Sequence, residues 1–285
     1  MKIFTNPYTI LLSVLLIVSC KETKKPENTA PEEQVEVVEE KPFVLKGEKV
    51  TYTADTLSMQ GYLAYNENAT EKQPGIIVIH EWWGHNDYVR KRADMLAELG
   101  YVALAIDMYG DGKQAAHPKD AGKFAMSVMG NIDVATTRFN AALEMLKSSE
   151  AVDVNKIAAI GYCFGGSVAL TMANTGADLD AVAAFHSGVE LPVMPKEGLK
   201  AKVLVCNGAD DPFVSAESVV NFKKAMDTLN ADYKYIAYEG AVHGFTSKDA
   251  DSLGKKFNLP LAYQQEADEK SWQELKTLLE NAFAE

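Results

Sequence analysis

Cysteine is scarce: three in 285 residues, at positions 20, 163 and 206. Three cannot close a disulfide framework, which excludes a small cross-linked scaffold and leaves each thiol needing its own explanation. Cations are also in deficit, with 28 lysines and arginines against 40 aspartates and glutamates and a formal net charge of −12. With no basic stripe and no arginine-rich run, nucleic-acid binding is excluded. The acidity itself bears on solubility and little else. No apolar run reaches the roughly 20 residues of a membrane-spanning helix, and no internal repeat is visible. What is present is an ordinary globular composition, 47% hydrophobic and 24% charged. α/β domains of this size commonly stay undivided, so one large domain is expected.

The first residues read as targeting rather than fold. Lys2 gives a positive start, residues 10–18 form an apolar run, and Ser19-Cys20 follow. Charge, apolar stretch and a small residue at the cut make a secretory signal. Leu16-Ile17-Val18-Ser19-Cys20 resembles a bacterial lipobox, which implies cleavage after residue 19 and acylation of Cys20. Acyl chains contribute about 0.8 kcal/mol per buried methylene, and two or more anchor stably. The alternative is an ordinary signal in which Cys20 meets the cut by coincidence. Residues 20–42, rich in Lys, Glu, Pro and Thr and without an apolar period, read as a disordered tether. The expected division is a lipoprotein signal over 1–19, a tether over 20–42 and a folded domain over 43–285. Such a protein is exported and held on a bacterial membrane, facing the periplasm or the surface.

Within 43–285 strand and helix signals alternate. Val50-Thr51-Tyr52-Thr53 and Gly61-Tyr62-Leu63-Ala64-Tyr65 form an opening hairpin. Strands follow at 75–80, 101–106, 156–161, 181–185, 202–206 and 233–238; the run at 75–80 is continuously apolar, as in a strand buried on both faces. Helices are expected over 87–99 (closed by Gly100), over 117–147 with a break near Gly130-Asn131, and over 165–174, 216–229 and 267–283. The fold class is α/β, a mostly parallel sheet with helices on both faces. In such sheets ligands sit at the carboxyl ends of the strands.

Gly161-Tyr162-Cys163-Phe164-Gly165-Gly166 falls between a strand and a helix. This is the Gly-x-nucleophile-x-Gly elbow with cysteine in the serine position. The chain must turn sharply there, and glycines two residues to either side leave room for the turn. The helix N-terminus beneath the sulfur favours a thiolate. The bland alternative is a glycine-rich turn carrying a buried thiol. Hydrolases of this kind present nucleophile, acid and histidine in that chain order. Asp211 opens the loop after the strand ending at Cys206, with Asp210 a competitor that also fits a plain turn residue. His243 lies in a Gly-flanked loop after the last strand and has no rival in the carboxyl-terminal third. His243 would take the thiol proton and pass a proton to the leaving oxygen, and Asp211 would fix the imidazole tautomer. His80-Glu81-Trp82-Trp83-Gly84-His85 ends the first buried strand. A zinc site needs histidines at i and i+4 on a helix; here the spacing is i+5 at a strand end, so no metal is expected, and no cofactor. The loop suits an oxyanion hole made by the backbone N–H groups of Trp82 and Phe164.

On these motifs, with Asp107-Met108-Tyr109-Gly110, Asp211-Pro212-Phe213-Val214 and His243-Gly244-Phe245, the chain resembles the dienelactone hydrolase family over roughly residues 52–283. The resemblance implies an α/β-hydrolase fold, a Cys163-His243-Asp211 triad, and a Glu81 that contacts the resting thiol and helps activate it when substrate binds. It further implies a small-molecule ester or lactone substrate, cleaved through a thioester on Cys163. Members acting on the anionic dienelactone carry an arginine shortly after the catalytic histidine; here Thr246-Ser247-Lys248 stand there. Lys248 lacks the bidentate fork of arginine, so dienelactone itself is not the expected substrate. Trp83, His186 and Tyr109 are candidate pocket residues; Trp83, like Trp82, fits a core cover equally well, and His186 a loop position. Cys206 reads as a small core residue, Lys119 and Lys123 as solvated helix charges, and Ser167 as packing. The chain is expected to act as a monomer. The competing function is a lipid-anchored ligand-binding protein that keeps the pocket without turnover, which an ester assay separates from an enzyme.

Overall fold

The computed structural model describes residues 42–284. The signal, tether and Cys20 expectations lie outside the described residues. Strands β1 (Leu45–Ala54) and β2 (Leu57–Asn66) form the opening hairpin. Then come β3 (Gln73–Ile79), α1 (Asp87–Ala97), β4 (Val102–Ile106), α2 (Pro118–Met129), α3 (Ile132–Lys147), β5 (Val152–Tyr162), α4 (Phe164–Asn174), β6 (Ala181–Phe185), β7 (Lys202–Gly208), α5 (Ala216–Thr228), β8 (Tyr233–Tyr238), α6 (Ala250–Phe257) and α7 (Gln265–Phe283). Among the described residues the strands make one 8-stranded sheet ordered β1-β2-β4-β3-β5-β6-β7-β8, antiparallel at the β1-β2-β4 edge and parallel from β4 to β8. This is the expected α/β-hydrolase architecture.

Alternation along the strands divides the core between the two faces of the sheet. Ile77, Ile79, Leu104 and Ile106 pack with Phe139 of α3, Val168 of α4 and Phe222 of α5. Ile76, Val78, Ala103 and Ala105 pack with Val89 and Leu96 of α1 and Leu275 and Leu279 of α7. The break in the α2–α3 region is a cap: the Asn131 side chain accepts from the Asp133 and Val134 N–H groups. The short helix α6 was not among the expected elements.

The parallel register aligns the strand ends. Tyr162 pairs with Phe185, Phe185 with Cys206, and Gly208 with Tyr238. Glu81, Cys163, Asp211 and His243 each follow the carboxyl end of a strand, so one edge of the sheet gathers the four.

Candidate active site

Cys163 joins β5 directly to α4 with φ 54° and ψ −119°, a conformation L-residues rarely adopt. Holding it costs of order 1–3 kcal/mol, which the surrounding packing must offset. The glycines explain how the turn is possible. A Cβ on Gly161 would lie 2.1 Å from the Gly165 carbonyl oxygen, and one on Gly165 would lie 2.3 Å from that of Ile79. The turn is fixed by the Cys163 N–H donating to the Phe185 carbonyl at 2.9 Å.

The sulfur faces His243. Cys163 Sγ lies 3.0 Å from His243 Nε2, and His243 Nδ1 lies 2.8 Å from Asp211 Oδ2. The second carboxylate oxygen, Oδ1, accepts the Phe213 N–H at 2.9 Å, so Asp211 is held from both sides. Asp210 makes no such contact; its N–H donates to the Ala241 carbonyl as a turn residue would. Burial opposes charge on His243, but the sulfur and the Asp211 carboxylate outweigh it and push its pKa up to about 10. The Phe213 ring, half exposed, stands edge-on to the imidazole at 5.0 Å.

Glu81, Trp82, Trp83, His243, Ser247, Leu253 and Leu261 enclose the sulfur in a cavity of about 10 Å³. A larger cavity of about 300 Å³ adjoins it, sharing Glu81, Trp83, Ser247 and Leu253 and extending to Lys256 and Phe257 of α6. Glu81 is buried at the junction. Burial pushes its pKa up to about 7, with the His243 and Arg92 charges pulling the other way. Glu81 shares this cavity with the resting thiol without a hydrogen bond between them among the described residues; the sulfur's hydrogen-bond partner is His243.

Two candidate pocket residues, His186 and Tyr109, are not among those lining these two cavities. His186 is fully buried, its backbone at φ 40° turning the ring inward. Its Nε2 meets Thr246 Oγ1 at 2.7 Å, and the ring packs edge-on beneath His243 at 5.3 Å. Tyr109 is also buried, its hydroxyl donating to the Trp82 carbonyl at 3.0 Å. Trp83 does line both cavities and stacks on Phe257 at 5.9 Å. Of the two N–H groups assigned to an oxyanion hole, that of Phe164 opens α4, where no intrahelical acceptor exists, and that of Trp82 sits in the loop over the sulfur.

Sequence reasoning missed Arg92. Its guanidinium is buried, pairs with Asp268 of α7 at 2.6 Å and donates to the Thr246 carbonyl at 2.7 Å. The Tyr88, Tyr162 and Trp272 rings surround it at 5.3–5.5 Å. This cation clamps the loop carrying His243. The helical period of α1 marked position 92 as inward-facing, and a cation there was the available signal.

The dienelactone hydrolase family model matches residues 59–283, most of the described chain. The chain belongs to the dienelactone hydrolase family. That membership places it among the carboxylic ester hydrolases. Protein usf of Aquifex pyrophilus is 29% identical over 214 residues, covering 73% of this chain and 90% of its own. Among solved structures, m3DLH matches with a TM-score of 0.79 at 34% identity, over 84% of this chain and 99% of its own. A dienelactone hydrolase-like promiscuous phosphotriesterase from metagenomic libraries matches with a TM-score of 0.77 at 33% identity, over 84% and 98%.

Proposed function

We propose that this family member cleaves a small ester or lactone through a thioester on Cys163. The observation that carries the reading is the hydrogen-bonded line from Cys163 Sγ through the His243 ring to Asp211 Oδ2, mounted on a strained strand-to-helix elbow. The sulfur attacks the acyl carbonyl, and its proton goes to His243 Nε2. Negative charge gathers on the carbonyl oxygen, which the Trp82 and Phe164 N–H groups receive. Collapse expels the alkoxide, which takes the proton from His243. Water then attacks the thioester, giving its proton to His243, and the acid leaves as the proton returns to sulfur. Asp211 holds Nδ1 protonated throughout and stabilises the imidazolium. Glu81, whose pKa burial raises to about 7, lines the same cavity as the sulfur.

Short nitrophenyl esters test this directly. Cys163→Ala should abolish turnover with the fold intact, since alanine fits the elbow, and Cys163→Ser should keep a trace because a hydroxyl ionises far less readily. Iodoacetamide should inactivate the parent in step with alkylation of one thiol. Full activity in Cys163→Ala would remove the nucleophile assignment.

The N-terminal segment supports a second proposal, that the enzyme is exported and tethered to a bacterial membrane through acylated Cys20. Cys20→Ala should move it from the membrane to the soluble fraction; equal membrane association of variant and parent would overturn the anchor.

A further inference from the structure

The loop 107–110 and His80 take no part in the steps above. We propose that His80 and Tyr109 are positioning residues that aim the Trp82 N–H at the developing oxyanion, an inference that rests on the oxyanion role of that N–H in the proposed reaction.

A trans peptide is planar, and its C=O and N–H point in opposite directions. Fixing the Glu81 carbonyl therefore fixes the Trp82 N–H. That carbonyl accepts from His80 Nδ1 at 2.5 Å and from the Gly84 N–H at 3.1 Å. The next carbonyl, that of Trp82, accepts from the Tyr109 hydroxyl at 3.0 Å. Both peptide planes flanking Trp82 are pinned through their carbonyls. Its own N–H has no acceptor among the described residues, as a donor held ready for substrate would not.

The proton on His80 is placed by the backbone. The Met108 N–H donates to His80 Nε2 at 3.1 Å. A peptide N–H can only donate, so Nε2 is the bare nitrogen and Nδ1 carries the hydrogen. Met108 is in turn set by Asp107, whose carboxylate accepts from the N–H groups of Tyr109, Gly110 and Gly112 at 2.8–2.9 Å. The His80 and Tyr109 rings pack together at 4.7 Å and both lie against Phe164, at 5.7 and 5.4 Å. One buried cluster thus touches the residues that supply both oxyanion donors. Without it the Glu81–Trp82 peptide could turn over, presenting a carbonyl oxygen where the N–H should be.

The test compares three variants on a nitrophenyl ester. Tyr109→Phe removes one oxygen and keeps the ring. His80→Asn keeps a donor at the δ position, and His80→Gln keeps one at the ε position only. Losing an oxyanion donor outright costs roughly a hundred- to a thousandfold in kcat; misaiming one should cost roughly ten- to a hundredfold in Tyr109→Phe and in His80→Gln, with KM changed by less than about twofold. His80→Asn should keep several-fold more activity than His80→Gln. Inhibition by a trifluoromethyl ketone, whose adduct with the sulfur carries an oxyanion, should weaken in the same order. Alkylation of Cys163 by iodoacetamide forms no oxyanion and should keep the parent rate. Alkylation that falls in step with kcat, unchanged ketone affinity, or equal activity of the Asn and Gln variants would overturn the proposal. Should the His80 variants fail to fold, Tyr109→Phe decides alone, by the same ketone and alkylation measurements. An active Cys163→Ala would instead overturn the thioester reaction, a result that none of these variants mimics.

Discussion

The Asp211 carboxylate is divided between the His243 ring and the Phe213 N–H, which leaves neither oxygen free to turn. Asp211→Asn keeps that shape but permits the wrong imidazole tautomer, so kcat should drop by roughly 10⁴ with little loss of stability; steady-state rates together with a melting curve check it. Glu81 makes a second prediction, about pH. Its pKa rises from 4.5 to about 7 on burial, so between those values the folded chain holds a proton the unfolded chain has released. Stability contributed by the protonated form is therefore complete below pH 4.5, declines as pH rises through 7, and is gone above it. At about 1.4 kcal/mol per unit the loss is roughly 3 kcal/mol. Glu81→Gln should thus stabilise the chain at pH 8 and leave it nearly unchanged at pH 4.5 in urea unfolding; an equal effect at both would show that burial of charge is not the cause. At this scale the chain order of Cys163, Asp211 and His243 was legible because each follows a strand end and sits in a recognisable motif. The inward turn of His186 was not: it depends on a positive φ and on Thr246, 60 residues away. Nor was the hydrogen bond of Tyr109 to a carbonyl 27 residues earlier.

Glycine separates the elements that tolerate change from those that do not. At Gly165 a methyl group would meet the backbone oxygens of Ile79 and His80, at and just past the end of β3, which cannot move aside. Gly165→Ala should therefore cost at least ~2 kcal/mol and disturb the elbow. Gly122, within α2, has nothing within 4 Å of an added Cβ. Gly122→Ala should stabilise by about 0.5–1 kcal/mol through helix propensity. Chemical unfolding of the two variants beside the parent gives both values, and a stable Gly165→Ala would contradict the packing described here. The long parallel strands were legible as apolar runs, and the α2–α3 break as a Gly-Asn pair. Helix α6 was not, because it has only eight residues and Gly254 interrupts its helical signal. That glycine is required by an approach no local pattern reveals: a Cβ there would lie 2.5 Å from the Leu261 carbonyl oxygen. The same helix brings Leu253 to the cavity over the sulfur, so part of the pocket wall was invisible for the same reason.

Across the whole molecule, charge is distributed in a way that bears on substrate choice. Lys248 is exposed and Lys123 leans toward Asp120 at 3.8 Å, both outside the two cavities at the sulfur. Lys256 lines the larger cavity, but Glu81 and Asp249 line it too. With a formal charge of −12 overall, the molecule offers an anion no net attraction. Neutral short-chain esters or lactones should be hydrolysed at least as well as matched carboxylate-bearing ones, compared by kcat/KM at low and high salt. A preference for the anion that weakens with salt would overturn this and direct attention to Lys256. Burial of the remaining thiol has a practical consequence of a different kind. Cys206 is fully buried, its sulfur against the Tyr238 hydroxyl, and burial pushes its pKa up to about 12. In a folded chain whose residue 20 is acylated or removed, an aromatic disulfide reagent should therefore release one equivalent of chromophore, and two after denaturation. The native titre counts competent Cys163 sulfurs directly, so a preparation's turnover number can be normalised to working centres rather than to total protein.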